Sequence, residues 1–225
     1  MARYVKAQLG LHHSVIYADD TGKYFRFSGG TWTWRNHNPG NLVSGKVSKR
    51  NNQIGTGTFA IFPDDETSRA ALIDCLHTTY EKASIDDLVQ AYAPEKDGNN
   101  VALYTKFLRD KTGISDNKKV KDFTPTEFDK LWRAIEKMEG YKKGTITEVF
   151  PIFEVHKDKD GIYGYHVKMK GWVTKQECMA LVKKDKLDLV ICKSRLGHEY
   201  LRARVGSFVN GSLNHMVVKD PKRGA

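Results

Sequence analysis

Thr124-Pro-Thr-Glu-Phe-Asp-Lys-Leu-Trp-Arg-Ala-Ile-Glu-Lys-Met-Glu-Gly140 is the clearest helix in the sequence, and the rest of the chain is read outward from it. Thr124 is a good N-cap, Pro125 suits the first helical position, and Glu127 completes a capping box with Thr124. Phe123 and Phe128 have the spacing of a hydrophobic staple across that start. Gly140 is the stop, because glycine takes the left-handed conformation that ends many helices. Phe128, Leu131, Trp132, Ile135 and Met138 recur at helical spacing and define an apolar face. Continuing that stripe reaches Glu139, whereas Glu136 follows Asp129 and Arg133 round the wet side. Glu139 is therefore a carboxyl at the edge of an apolar face, in the last turn. Partial desolvation and the negative end of the helix dipole both disfavour its charged form. A carboxylic acid kept protonated near neutral pH is what a general acid requires. An ordinary half-exposed glutamate without a role fits the same helix.

The segments before this helix carry further helix signals. Pro63-Asp-Asp-Glu66 opens one that runs to about Ala83, with Ala70, Ile73, Leu76 and Tyr80 on one side; its acids suit the positive N-terminus. Ser84 caps the next, and Pro94 ends it near Tyr92. Asn99 or Asn100 caps a third, through Leu103, Tyr104, Phe107 and Leu108 to Gly113. Strands come first: Val15–Tyr17 and Lys23–Phe27 read as a hairpin turning at Gly22, and Thr58–Phe62 as a short strand. The front of the chain is thus expected to be mostly helical after its first strands. Asn38-Pro39-Gly40-Asn41 has the composition of a type II turn, with glycine where φ is positive. Arg35, Asn36, His37, Asn38 and Asn41 surround it, with Trp32 and Trp34 just before. Amides and a guanidinium offer donors and acceptors to hydroxyl and acetamido groups, and indole faces stack on sugar rings. Asparagines that only cap their own turn, and tryptophans in the core, would account for the same residues.

Composition shifts after Gly144. Val149, Phe150, Ile152, Phe153 and Val155 precede a turn at Lys157–Gly161, and Tyr163, Tyr165, Val167 and Met169 continue with period two. Thr174-Lys-Gln-Glu177 is a capping box for a helix to about Lys184. Leu187–Ile191 and Glu199–Arg202 are strands about a turn at Ser194–Gly197. The expected division is a domain over residues 1–147 and a small α+β domain over 148–225.

The whole chain of 225 residues is 40% hydrophobic and carries a net charge of +10, with a pI near 9.4. That is enough apolar material for a core, and the basic balance favours anionic partners: nucleic acid, anionic lipid surfaces or an acidic cell wall. Cys75, Cys178 and Cys192 are too few for a disulfide framework and show no metal-ligand spacing; the first and second are expected as buried thiols in helices. Nothing near Met1 reads as a signal peptide, and no apolar run is long enough to span a membrane. The protein is expected to be made in the cytoplasm and, if it acts elsewhere, to be carried by a dedicated route.

Arg35-Asn-His-Asn-Pro-Gly-Asn-Leu42 resembles the R-N-N-N-P-G-N-[IL] signature of a lysozyme-like family of phage virion proteins and type VI secretion effectors. The resemblance runs over roughly residues 24–147. It continues through Phe59-Ala-Ile-Phe62 with Glu66, through Tyr92-Ala-Pro-Glu95 with Asn99, Asn100 and Tyr104, and through Ala134-Ile135 to Glu139-Gly140. His37 stands where the family usually has asparagine, and Ser68 where a glycine follows the Glu66 position. What the resemblance implies is a mainly α-helical lysozyme-like domain with a small β element, so that the whole chain would be α+β. Glu139 would be catalytic and Glu66 the second carboxylate, with Asp64, Asp65 and Asp97 open as alternatives. Trp34, Arg35, Asn36, Asn38, Asn41 and Asn99 would bind substrate, with no cofactor and no metal. The substrate would be peptidoglycan glycan strands, cut between N-acetylmuramic acid and N-acetylglucosamine by a hydrolytic or a lytic route. An immunity protein and a secretion-apparatus delivery protein would be partners, and the target-cell periplasm the place of action. Gly171-Trp-Val-Thr-Lys175 is similar to the G-W-V-[ST]-K segment of a small uncharacterised domain, which adds a boundary and no chemistry.

Two other classes fit parts of the sequence. Positive charge and aromatics among basic residues suit a nucleic-acid binder or nuclease, although the basic residues are spread rather than striped. A module that grips the cell wall without cutting it would use the same turn.

Overall fold

The structure, a computed structural model, describes residues 3–221. In chain order its elements begin with β1 (Tyr4–Leu9), β2 (Val15–Asp19), β3 (Tyr24–Ser28), α1 (Trp32–Arg35), α2 (Lys46–Arg50), β4 (Gly55–Thr56) and β5 (Ala60–Ile61). The helices α3 (Asp65–Thr78), α4 (Ile85–Tyr92), α5 (Val101–Thr112) and α6 (Pro125–Glu139) follow. The chain then continues through β6 (Thr145–Val149), β7 (Ile152–Asp158), β8 (Gly161–Val167), β9 (Gly171–Thr174), α7 (Lys175–Lys183), β10 (Leu189–Lys193) and β11 (Glu199–Ala203).

Two compact units result. Gly29–Gly144 form one, and the described residues before and after that segment form the other. The division expected at 147/148 differs from this, because the first three strands lie with the C-terminal part. The reason is visible in β2: Val15, Ile16 and Tyr17 are all fully buried, so both faces of this strand are covered. β1 and β3 pair with its two edges, and the far edge of β3 is taken by β6 in the antiparallel order β1-β2-β3-β6. Arg26 of β3 reinforces the link. Its guanidinium, almost wholly buried, donates to Asp185 Oδ1 at 2.7 Å and to the buried Asp188 Oδ1 at 3.3 Å. A buried charge needs such partners, and here they come from 159 and 162 residues away.

The mainly helical, lysozyme-like domain expected over residues 1–147 is therefore corrected. The chain is mixed, about 35% helix and 25% strand, with several antiparallel sheets. In the terminal unit β7-β8-β9 form one sheet and β10-β11 another, and Cys178 of α7 lies in the core with Val155, Tyr165 and Leu189.

In the unit Gly29–Gly144, α3 to α6 enclose a core that includes Leu72, Leu76, Leu88, Leu108, Leu131 and Ile135. α6 begins as its sequence requires: Thr124 Oγ1 accepts from Glu127 N, and Thr124 N donates to Glu127 Oε2. Phe128, Trp132 and Met138 flank the buried Leu131 and Ile135. α3 differs from expectation in its face. Ala71, Leu72, Cys75 and Leu76 are buried while Ala70 is exposed, a rotation of about one residue. Gly140 also differs: at φ 71° and ψ 158° it lies outside the left-handed helical region, in a conformation close to glycine-only.

Candidate active site

The site is built where the end of α6 meets the turn after α1. Three contacts tie these segments together. Thr33 Oγ1 donates to Gly140 O at 2.6 Å, Thr31 N donates to Lys142 O at 3.0 Å, and Lys142 N donates to Thr31 Oγ1 at 3.1 Å. Gly30 lets the two backbones approach: a Cβ there would stand 2.4 Å from Lys142 O and 2.7 Å from Gly144 N, and its φ is +61°. The turn itself is closed by Asn41 N donating to Asn38 O at 2.9 Å. Positive φ falls on His37 (46°) and Asn41 (48°) and not on Gly40, which corrects the type II expectation. Gly40 is required instead by proximity, since an added Cβ would meet Tyr92 Oη at 3.0 Å and Leu72 at 3.1 Å. Tyr92 Oη also donates to Gly40 O.

At the centre, Asn41 Nδ2 donates to Glu139 Oε2 at 2.8 Å and Tyr104 Oη donates to Glu139 Oε1 at 2.9 Å. Both carboxyl oxygens are thus held, one from the turn and one from α5. Burial pushes the Glu139 carboxyl above its ordinary value, against the two hydrogen bonds, which favour the charged form. Burial likewise raises Tyr104, and the neighbouring carboxylate adds to the effect, so this phenol stays a donor. Asn41 Oδ1 is buried and has no hydrogen-bond partner among the described residues. Such an acceptor is costly unless something supplies a donor.

The asparagine turn lies between two grooves. One, of about 420 Å³, is lined by Asn41, Val43, Lys46, Tyr80, Tyr92 and Asp97 among others. The other, of about 460 Å³, includes Pro39, Asp65, Arg69, Glu136, Lys137 and Tyr141. Glu136, expected on the wet side, is paired there with Arg69 at 2.8 Å, and burial raises its pKa against that cation.

The remaining sequence-predicted residues have varied places. Trp34, Arg35, Asn36 and Asn38 are buried, so these side chains build the turn rather than face solvent. Arg35 donates to Gly29 O at 2.6 Å and Gly30 O at 2.7 Å, and its guanidinium covers the Trp32 ring. Asn38 Nδ2 donates to Leu42 O and Ala60 O, both at 2.9 Å, and its Oδ1 accepts from Leu42 N. Asn99 is exposed and donates to Pro94 O. Among the carboxylates, Asp64 caps α3 by accepting from Thr67 N, and Glu66 is exposed in the first turn of that helix, outside both grooves. Asp97 faces the Asn41 groove, and Asp65 accepts from Tyr141 Oη at 2.9 Å in the other. The role of Tyr104 at the acid was missed in the sequence. Its signal was a tyrosine four residues before Leu108 on a buried stripe, where a phenol needs a partner.

Among the described residues no helix is long and apolar enough to cross a membrane. No protein-family model matches the chain, and no curated protein is significantly similar to it.

Proposed function

We propose that the protein is a peptidoglycan hydrolase of muramidase specificity, with Glu139 as the general acid. The observation that carries this reading is the 2.8 Å bond from Asn41 to Glu139, which joins an amide-bearing turn to a sheltered acid across 98 residues. Glu139, protonated, gives its proton to the glycosidic oxygen as the C–O bond breaks. The positive charge left on the sugar ring is then met by a second carboxylate or by the substrate's own acetamido oxygen. Asp97 and Asp65 each line a groove beside the turn, whereas Glu66, like Glu139 itself, lines neither. Export by a type VI apparatus, action in a target-cell periplasm and a cognate immunity protein belong to the same proposal, through the resemblance of Arg35–Leu42.

The test is digestion of purified peptidoglycan by the wild type and by Glu139→Gln, with the released sugar ends identified. Muramic-acid ends, reducing or anhydro, are expected, with a loss of roughly 10²–10⁴-fold in the variant. Undiminished cleavage by the variant would remove Glu139 from the mechanism, and no new sugar ends from the wild type would overturn the activity.

A further inference from the structure

Larger than either groove beside the asparagine turn is a cavity of about 650 Å³ in the unit built from both ends of the chain. Tyr200, Leu201, Arg202 and Ala203, four consecutive residues of β11, all line it. Side chains of a strand alternate between its faces, so a cavity touched by four in a row runs along the strand's edge. β11 pairs with β10 on its other edge, and no further strand among the described residues joins it. Alternate N–H and C=O groups of β11 are therefore directed at the cavity, as on any open edge.

The charge around this edge is one-sided. Lys157, Lys175, Arg202 and Arg204 line the cavity against Asp160 alone. Arg204 is committed to the buried Asp188 at 3.4 Å. Lys157 Nζ donates to the neutral Asn214 Oδ1 at 3.2 Å, which leaves its charge uncompensated. Lys175 and Arg202 form no ion pair among the described residues. The unit also holds most of the chain's excess charge, with 19 Lys and Arg against 11 Asp and Glu. Val205 and Tyr200, 84% and 42% exposed, add apolar surface at the cavity.

We propose that this cavity takes an extended, acidic segment of a partner protein, which adds to the open edge of β11 and sets its carboxylates on Lys157, Lys175 and Arg202. Edge addition draws affinity from main-chain hydrogen bonds and specificity from alternate side chains. A peptide backbone supplies both the donors and the acceptors that a strand edge needs. A phosphodiester chain has no such N–H groups, so the edge favours protein over nucleic acid. This inference does not depend on the muramidase reading.

The test titrates the full chain with a fluorescent, end-blocked peptide alternating glutamate and valine over about eight residues, the length of an ordinary strand. The comparison ligands are its lysine counterpart, its alternately N-methylated form, a single-stranded oligonucleotide of equal charge and a peptidoglycan stem tetrapeptide. The glutamate peptide is expected to bind, about tenfold or more tighter than its lysine and N-methylated counterparts, and to slow amide exchange in β11. The double variant Lys175→Glu/Arg202→Glu is expected to lose about tenfold or more at unchanged Tm, and added salt to weaken the wild-type complex. Should that variant fail to fold, the N-methylated peptide on the wild type decides. Absence of binding at millimolar peptide, indifference to N-methylation, or tighter binding of the oligonucleotide or stem peptide would overturn the proposal.

Discussion

Glu139 receives one hydrogen bond from each side, and the two act against the burial that raises its pKa. Replacing Tyr104 by phenylalanine removes a donor that favours the carboxylate, so the pKa rises further. A general acid works below its pKa, so the alkaline limb of the kcat/KM profile should move to higher pH in Tyr104→Phe. A purely structural role for Tyr104 would lower activity without moving that limb, and an unmoved limb would rule out the coupling. Stability carries the same sign. The folded-state pKa of Glu139 lies above its ordinary value of 4.5. Its contribution is full below that value and is lost as pH rises through the folded pKa. Glu139→Gln should therefore raise Tm relative to the wild type more at pH 7 than at pH 4, as read by paired thermal melts.

Between elements, the site depends on the close approach of the α1 entry to the α6 exit. Gly30→Ala puts a methyl carbon against Lys142 O and Gly144 N at a residue with φ +61°. The expected cost is about 2–3 kcal/mol in chemical denaturation, with activity falling further as the turn is pushed from Glu139. A loss under about 0.5 kcal/mol would mean that the approach is not tight. What the sequence made legible at this scale was local. Thr124, Ser84 and Thr174 cap the helices they were read to cap, and of Asn99 and Asn100 it is Asn100 that caps α5, because a cap is written within four residues. The hairpin of β2 and β3 was legible for the same reason. β1 was not, and the pairing of β3 with β6 spans more than a hundred residues that no local pattern encodes. The stripe of α6 made legible that Glu139 lies at the edge of the buried face, where Asn41 and Tyr104 meet it. The buried asparagines near it looked like ligand contacts because a side chain that bonds backbone and one that bonds sugar have the same chemistry.

At the scale of the whole molecule, the terminal unit is discontinuous in sequence and continuous in its sheet. Arg26 and Asp188 are both buried in it, and Arg204 and Ser207 complete the acid's shell at 3.4 and 2.6 Å. Removing the arginine head leaves a carboxylate sealed from water without its deepest cation, which typically costs about 3–5 kcal/mol. Arg26→Met keeps the stem volume and so isolates that electrostatic loss from a packing defect. Hydrogen exchange should then rise together in β1–β3, β6 and β10–β11, because the Arg26–Asp188 contact ties β3 to the residue that enters β10. The helices α3 to α6 should keep their protection, since their core is drawn entirely from Gly29–Gly144. The proposed peptidoglycan cleavage, once detected in the wild type, should persist in that variant at temperatures below its first transition. Loss of protection spread evenly over both units would instead mean that they unfold as one cooperative body.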